Sequence, residues 1–177
     1  MFAQTIGTMI AGGIYSILLA IAAVTDFRTR RIPNRVCLAL LAGGIAYSVE
    51  TLGWPRGLGF AAGGVLVGFG LWVPFYALRW LGAGDVKLVA AAGAWLGSIG
   101  ALRASALGAV VGGALSLAVM LMHRSPKHVA TDVMLLLNTV RRQPTTIRAG
   151  MESSDQQLMP YGVALSIGAL LAAWFNR

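Results

Sequence analysis

The sequence predicts an all-α protein, a polytopic membrane helix bundle of about six transmembrane helices. Hydrophobic residues make up 57% and charged residues 11% of the 177 residues, whereas soluble domains average roughly 45–50% apolar and about 25% charged residues. The apolar residues are gathered into stretches of the length that crosses a bilayer. These observations exclude a disordered chain and disfavour an ordinary soluble domain, so we predict a single membrane-embedded domain over residues 1–177.

The first predicted span is the uncharged stretch from Met1 to Thr25, whose 25 residues exceed the about 20 that a transmembrane helix needs. A secretory signal peptide would begin with Lys or Arg, but here the first basic cluster follows the apolar stretch and begins at Arg28. We therefore expect the segment to remain attached, with the N-terminus outside and the far end of the helix in the cytosol.

Five further apolar stretches complete the predicted bundle. They are residues 36–52, 57–78, 86–102, 104–122 and 158–175. The tight Gly97-Ser-Ile-Gly100 segment before Arg103 predicts a close hairpin between the fourth and fifth spans. Five spans are the alternative count.

Basic residues are distributed unevenly between the two faces of this bundle. Of the 14 Lys and Arg residues, 11 fall on the cytosolic side and 3 on the outer side, which is the positive-inside pattern. Because the basic residues lie between apolar runs, the net charge of +8 predicts contact with anionic lipid headgroups rather than with nucleic acid.

Small residues inside the spans predict how the helices pack. Pairs at Gly-x-x-x-Gly spacing begin at Gly59, Gly64, Gly93 and Gly108, and this spacing lets helix backbones approach closely in lipid. We predict packing within one bundle, with homodimerisation as the alternative. The single cysteine, Cys37, excludes an intrachain disulfide and a Cys-based zinc cluster, and we interpret it as a packing residue.

The longest polar stretch, residues 123–157, lies in the cytosol in this topology. Within it, apolar residues recur at helical spacing and are followed by Arg141 and Arg142, which predicts an amphipathic helix on the inner leaflet. Packing of this helix against a partner protein is the alternative. His123 and His128 are five positions apart, a poor spacing for two ligands on one helical face, so we predict no metal site.

Two aspartates adjoin predicted spans at the same membrane face, where Asp26 ends the first span and Asp85 begins the fourth. Ionisable groups at such depth are costly and are functional candidates. A structural role is the alternative for Asp85, because an aspartate that opens a helix is a good N-cap. Asp26 has no such role, since the helix dipole opposes an anion at a helix C-terminus. We expect neighbouring arginines to compensate it, from among Arg28, Arg30 and Arg31.

The residues that flank the aspartates favour a functional interpretation. Gly82 and Gly84 allow backbone conformations closed to other residues and leave room for an extended peptide to approach Asp85. Pro33 biases the preceding Ile32 towards extended geometry, and Asn34 is a candidate cap for the second span.

Three blocks of the chain resemble the prepilin peptidases, membrane aspartyl proteases of the GxGD type, with the short form of the tight-adherence (Flp) pilus looking closest. The blocks are residues 26–34 (DFRTRRIPN), 82–97 (GAGDVKLVAAAGAWLG) and 159–168 (MPYGVALSIG). GxGD alone is a weak string, but its combination with Lys87 and an upstream Asp-x5-Ile-Pro-Asn at the same membrane face is specific.

The resemblance implies an aspartic endopeptidase of the bacterial inner membrane with its active site at the cytosolic face. Asp26 and Asp85 would form the catalytic pair, one acting as general base on a water and the other as general acid towards the scissile amide. The pair would hold one proton between them. The implied substrate is a prepilin or pseudopilin, cleaved where its basic leader meets its apolar helix, and pilus-assembly machinery is a further candidate partner.

Other residues of the three blocks receive supporting roles. We interpret Lys87 as a headgroup or structural contact, because two residues along a helix it points to a different face from Asp85. Pro160 and Tyr161 are candidate borders of the substrate site, with a helix-starting proline as the alternative for Pro160.

The chain departs from the larger prepilin peptidases, which carry paired CxxC motifs in an additional cytosolic domain and also N-methylate the new terminus. Because this sequence has one cysteine, we predict peptidase activity without methyl transfer and without a cofactor. Two alternatives come from other classes. One is a small transporter or channel component with the aspartates as ion sites, and the other is a non-catalytic scaffold of a secretion system.

Overall fold

The computed structural model of the protein describes residues 2–29, 31–78, 81–123 and 161–175. These residues form five helices, namely α1 (Phe2–Thr29), α2 (Asn34–Leu52), α3 (Arg56–Ala77), α4 (Ala83–His123) and α5 (Tyr161–Phe175). The predicted all-α class is confirmed. Of the predicted loop over 123–157, only the backbone of His123 at the end of α4 lies among the described residues; the amphipathic helix and His128 lie outside them.

Four of the helices, α1 to α4, contain a stretch long and apolar enough to cross a membrane, and α5 contributes the shorter apolar helix Gly162–Trp174. Large apolar side chains point outward, with Met9 68% and Leu66 70% exposed. Such a surface is favourable against lipid rather than water. The protein is therefore a multi-pass membrane protein, while the count of six spans and the external N-terminus stay predictions.

The described residues are divided between two units of the chain. The first holds those up to Gly112 together with α5, and the second holds residues 113–123, the helical end of α4. In the first unit α1 packs against α2 and α5, and α2 packs against α3.

Helix α4 is broken at Gly97, whose φ of 69° and ψ of −177° are open to glycine and closed to nearly all other residues. A Cβ built on Gly93 would lie 3.3 Å from the Cβ of Ala101, although residues eight apart in a continuous helix are separated by about 12 Å. The chain therefore folds back at Gly97 into two arms. The predicted hairpin is in the right segment, but the predicted end of the fourth span at Leu102 is wrong, because the first arm ends before Gly97.

Glycines let the helices of the first unit touch along their backbones. A Cβ on Gly64 would collide with the backbone of Gly93, and a Cβ on Gly168 would collide with the backbone of Gly108. The first pair joins α3 to the first arm of α4, and the second joins α5 to the second arm. Gly64, Gly93 and Gly108 belong to three of the four predicted Gly-x-x-x-Gly pairs and pack within the bundle, whereas a Cβ on Gly59 of the remaining pair would meet nothing within 4 Å.

Trp95 ties the first arm of α4 to α1 and α2. Its Nε1 donates a hydrogen bond of 2.7 Å to the carbonyl of Leu40. Its ring lies 5.3 Å from the ring of Tyr15 and stacks at 5.5 Å on that of Tyr47. Cys37 is buried in the first turns of α2 and belongs to the same core. This cluster fixes the spacing of the three helices that carry the polar residues described next.

Candidate active site

Asp26 lies in the last turn of α1 and is buried, with 7% of its surface exposed. Its Oδ2 accepts a hydrogen bond of 2.9 Å from the backbone N–H of Gly162, and the backbone N–H of Val163 also reaches the carboxylate. Both donors belong to the first turn of α5, where N–H groups have no partner within the helix. A carboxylate at the end of one helix is thus bound by the beginning of another.

The expected compensation of Asp26 by nearby arginines is wrong for the arginines that the structure describes. Arg28 and Arg31 are exposed, and the partners of the carboxylate are backbone groups of α5. The positive end of the α5 dipole favours an anion at this place, which offsets the opposing dipole of α1. Arg30 lies outside the described residues.

Asp85 is the third residue of α4 and is partly exposed. Its Oδ2 accepts from the N–H of Gly82 at 3.3 Å, while its own N–H donates to the carbonyl of Gly82 at 3.2 Å. A side chain at this position that bonds back to the residue before the helix forms half of a capping box. Asp85 therefore caps the start of α4 from inside the helix, not as the N-cap residue itself. Part of its side chain remains accessible.

The glycines beside Asp85 act through their small size. Among the described residues, positive φ occurs at Gly53 and Gly97, and not at Gly82 or Gly84, so the expectation that these two use unusual backbone conformations is wrong. Gly84 is instead covered by Ile32, whose Cβ would lie 3.3 Å from a Cβ built on Gly84. The open side of Asp85 is at Gly82, which is exposed.

Ile32 links the surroundings of the two aspartates. Its side chain packs on Gly84, the neighbour of Asp85, and its Cδ1 would lie 3.0 Å from a Cβ on Gly162, the residue that binds Asp26. Residues 59 positions apart in the sequence thus belong to one site at one end of the bundle.

Asn34 and Lys87 form a second connection at the same end of the bundle. The Nζ of Lys87 donates a hydrogen bond of 3.1 Å to Oδ1 of Asn34, which joins the start of α4 to the start of α2. Helix α2 begins at Asn34 with Pro33 in the N-cap position and without a side-chain cap hydrogen bond. The prediction that Asn34 caps this helix is therefore wrong, because its amide oxygen serves Lys87. Pro33 contributes its carbonyl, which accepts from Val36 N–H at 3.0 Å.

The remaining predicted residues lie at the edge of what the structure describes. Pro160 is outside the described residues, and Tyr161 is described as the first residue of α5 by its backbone alone. Within the described ranges, no group of three or more His, Cys, Asp or Glu side chains could hold a metal ion.

Two residues of the site had no predicted role. Gly162 was part of the third matching block, and its position directly after Pro160-Tyr161 at a helix start is the signal that could have marked it. Ile32 was expected only to be extended, although it stands between the motif residues Asp26 and Asn34. Both act through tertiary contacts with distant residues.

The arrangement suits general acid–base chemistry with two carboxyl groups. One is buried and hydrogen-bonded to backbone donors, and the other is partly exposed beside a glycine that leaves its approach open. Adjacent carboxylates do not readily ionise together, so one of such a pair can supply a proton while the other removes one.

A sequence model of the type IV leader peptidase family matches residues 13–117. The chain is 39% identical over 90 residues to a "Prepilin leader peptidase/N-methyltransferase" of Dickeya chrysanthemi, covering 47% of this chain and 31% of that protein. Proteins of the same description from Klebsiella pneumoniae and Escherichia coli (strain K12) are each 35% identical, over 51% and 48% of this chain and 42% and 40% of theirs. The chain thus spans less than half the length of these relatives. No solved structure matches.

The family match covers more than half of the chain and includes both aspartates, the Ile32-Pro33-Asn34 segment and Lys87. The matched segment therefore contains most of the residues that form the polar site at the end of the bundle. The chain therefore belongs to the type IV leader peptidase family.

Proposed function

We propose that this protein is a prepilin leader peptidase that cleaves the basic leader from type IV or Flp prepilins, with Asp26 and Asp85 as its catalytic residues. The observation that supports the proposal is that Ile32 packs both on Gly84, next to Asp85, and against Gly162, the donor to Asp26. Family membership and the names of the relatives support the reaction class.

The proposed reaction is hydrolysis of one peptide bond without a covalent intermediate. One carboxylate removes a proton from a water, whose oxygen attacks the scissile carbonyl, and the other carboxyl group protonates the leaving nitrogen. The bond between carbonyl carbon and nitrogen breaks, giving a carboxylate on the leader and a free amine on the mature pilin. The partly exposed Asp85 and the exposed Gly82 offer the side from which an extended peptide reaches the pair.

The charges around the site support a cytosolic location and an inner-membrane protein. Four basic residues lie at or next to the helix ends that carry the aspartates, namely Arg28, Arg31, Arg35 and Lys87. Arg56 and Arg103 lie towards the opposite end of the bundle. By the positive-inside rule the aspartate end faces the cytosol, where anionic lipid headgroups are the counterions. There the bond between a basic leader and an apolar pilin helix would lie level with the site.

The transporter and scaffold alternatives account for fewer observations. A transporter places ionisable groups near the bilayer midplane, whereas Asp26 and Asp85 lie at helix ends. A scaffold would not need two carboxyl groups at one site. We propose peptidase activity alone for these 177 residues, since they hold one cysteine and so cannot form paired CxxC motifs.

The test is cleavage of a co-expressed prepilin by the wild type and by Asp26→Asn and Asp85→Asn. Both substitutions are nearly isosteric but remove a proton-transferring group, and each should reduce cleavage by at least 10²-fold, in the range for general acid–base groups. Glu50→Gln is the matched control, because this exposed carboxylate lies about 24 Å along α2 from Asn34. Full processing by either aspartate variant would contradict the two-carboxylate mechanism.

A further inference from the structure

The beginning of α5 is a built part of the aspartate site. Gly162 N–H donates to Oδ2 of Asp26 at 2.9 Å in a buried contact that joins residues 136 positions apart. Backbone donors have no rotamers, so they hold a carboxylate more rigidly than an arginine side chain does. The described partner of this buried anion is thus the first turn of α5, with its unpaired N–H groups and favourable dipole.

Position 162 leaves no space for a side chain, because the Asp26 carboxylate and the end of the Ile32 side chain occupy that space. A Cβ built on Gly162 would lie 2.7 Å from Oδ2 and 2.9 Å from Cγ of Asp26. The turn itself is fixed from within α5, because the buried Ser166 hydroxyl donates to the Gly162 carbonyl at 2.7 Å. The carboxylate therefore rests against a rigid surface that any larger residue would push outward.

We propose that Gly162 is a positioning residue of the peptidase reaction, whose N–H and missing side chain fix the Asp26 carboxylate relative to Asp85. The inference rests on the proposed function. It also extends the site beyond residues 13–117 of the family match, because α5 lies outside that segment.

Gly162→Ala tests the proposal with purified protein and a purified prepilin in detergent micelles. The variant should lose on the order of 100-fold in kcat, as expected when a catalytic group is displaced by about 1 Å. KM should stay near the wild-type value, because the substitution acts on Asp26 and not on uniform binding of the substrate.

Gly108→Ala is the matched control for crowding of α5. Its Cβ would lie 2.9 Å from Cδ2 of Leu165, so the substitution disturbs the packing of α5 to a similar degree without touching Asp26. It should lower Tm but leave kcat near the wild-type value.

A stability cycle tests the contact itself. Gly162→Ala should lower Tm in the wild-type background, and most of this loss should vanish in an Asp26→Ala background. That background removes the two nearest atoms that the new methyl group would meet, Oδ2 and Cγ of Asp26, and leaves Cδ1 of Ile32 at 3.0 Å. Wild-type kcat in Gly162→Ala, or equal Tm losses in both backgrounds, would overturn the positioning role. A wild-type protein that leaves the prepilin uncut would instead overturn the proposed function, while the cycle would still report on the contact.

Discussion

Ile32 is the side chain through which the two aspartates share their surroundings. It contacts Gly84 next to Asp85 and lies against Gly162, the donor to Asp26. Its backbone is followed by Pro33, whose ring restricts the conformations available to the preceding residue. A partly buried aliphatic side chain on a restricted backbone suits the role of a spacer between two carboxyl groups.

Ile32→Ala should therefore impair cleavage more than it impairs stability. Loss of the spacer lets the starts of α4 and α5 shift relative to each other, and we expect at least a tenfold lower cleavage rate. The destabilisation should be about 1–2 kcal/mol, below the range for fully buried Ile or Leu. Cleavage rates at matched protein levels and unfolding in detergent provide the two measurements.

Ile99→Ala is the control for this prediction, because the same atoms are removed from a side chain that is 67% exposed on the outside of the bundle. Ile99→Ala should leave both the cleavage rate and the stability near the wild-type values. Equal cleavage rates for Ile32→Ala and Ile99→Ala would remove the spacer role.

Individual residues show what a sequence can and cannot reveal about this site. Asp26 and Asp85 were predictable, because apolar residues precede one and follow the other, and alternating spans bring both to one face. The hydrogen bond from Gly162 was not, since it depends on where α5 meets α1 and not on any local pattern. Asn34 is a residue type that often caps helices, but its side chain instead accepts a hydrogen bond from Lys87, which is distant in the sequence.

Among the elements, α4 carries the least regular feature of the fold. Its two arms meet at Gly97, and the ring of Phe60 from α3 occupies the place where a Cβ would stand. The first arm begins with Asp85 and packs by Gly93 on Gly64 of α3. The bend at Gly97 therefore determines where the first arm of α4, which carries Asp85 near its start, comes to an end.

Gly97→Ala should destabilise the bundle by about 1–3 kcal/mol from the left-handed backbone alone, with a further loss from the collision with Phe60. Thermal unfolding in detergent micelles measures the change. Gly70→Ala is the control, since a Cβ at that helical position would meet nothing within 4 Å and alanine favours the helix. Equal Tm values for the two variants would show that the bend tolerates a side chain.

The position of this bend could be predicted only to within a few residues. Hydropathy stays high on both sides of Gly97, where Leu96 and Ile99 are both apolar, so an apolar stretch gives no sign of where it reverses. The two glycines Gly97 and Gly100 indicate that the chain reverses within or near this short segment. The choice between them depends on which one meets Phe60, and that contact belongs to the tertiary structure.

At the scale of the whole molecule, the uneven charge predicts one orientation in the membrane. The end of α1 and the start of α2 should face the cytosol, and the turn between α2 and α3 should face outward. Thr29 and Trp54 are exposed representatives of these two ends. Because Cys37 is the single cysteine, one substitution removes the native thiol.

In a Cys37→Ala background, a membrane-impermeant maleimide should label Trp54→Cys but not Thr29→Cys in spheroplasts. Inverted membrane vesicles should give the opposite result. Labelling of Thr29→Cys from the outside would reverse the orientation and place the aspartates away from the cytosolic leader of a prepilin.

The hydrogen bond between Gly162 and Asp26 also constrains the order of events during biosynthesis. A ribosome that has translated α1 to α4 has already made both aspartates, yet the backbone donors for Asp26 are encoded 136 codons after it. A nascent chain therefore holds an incomplete site until α5 has been made and has packed against α1. Completion of the aspartate site is thereby coupled to the synthesis and packing of α5.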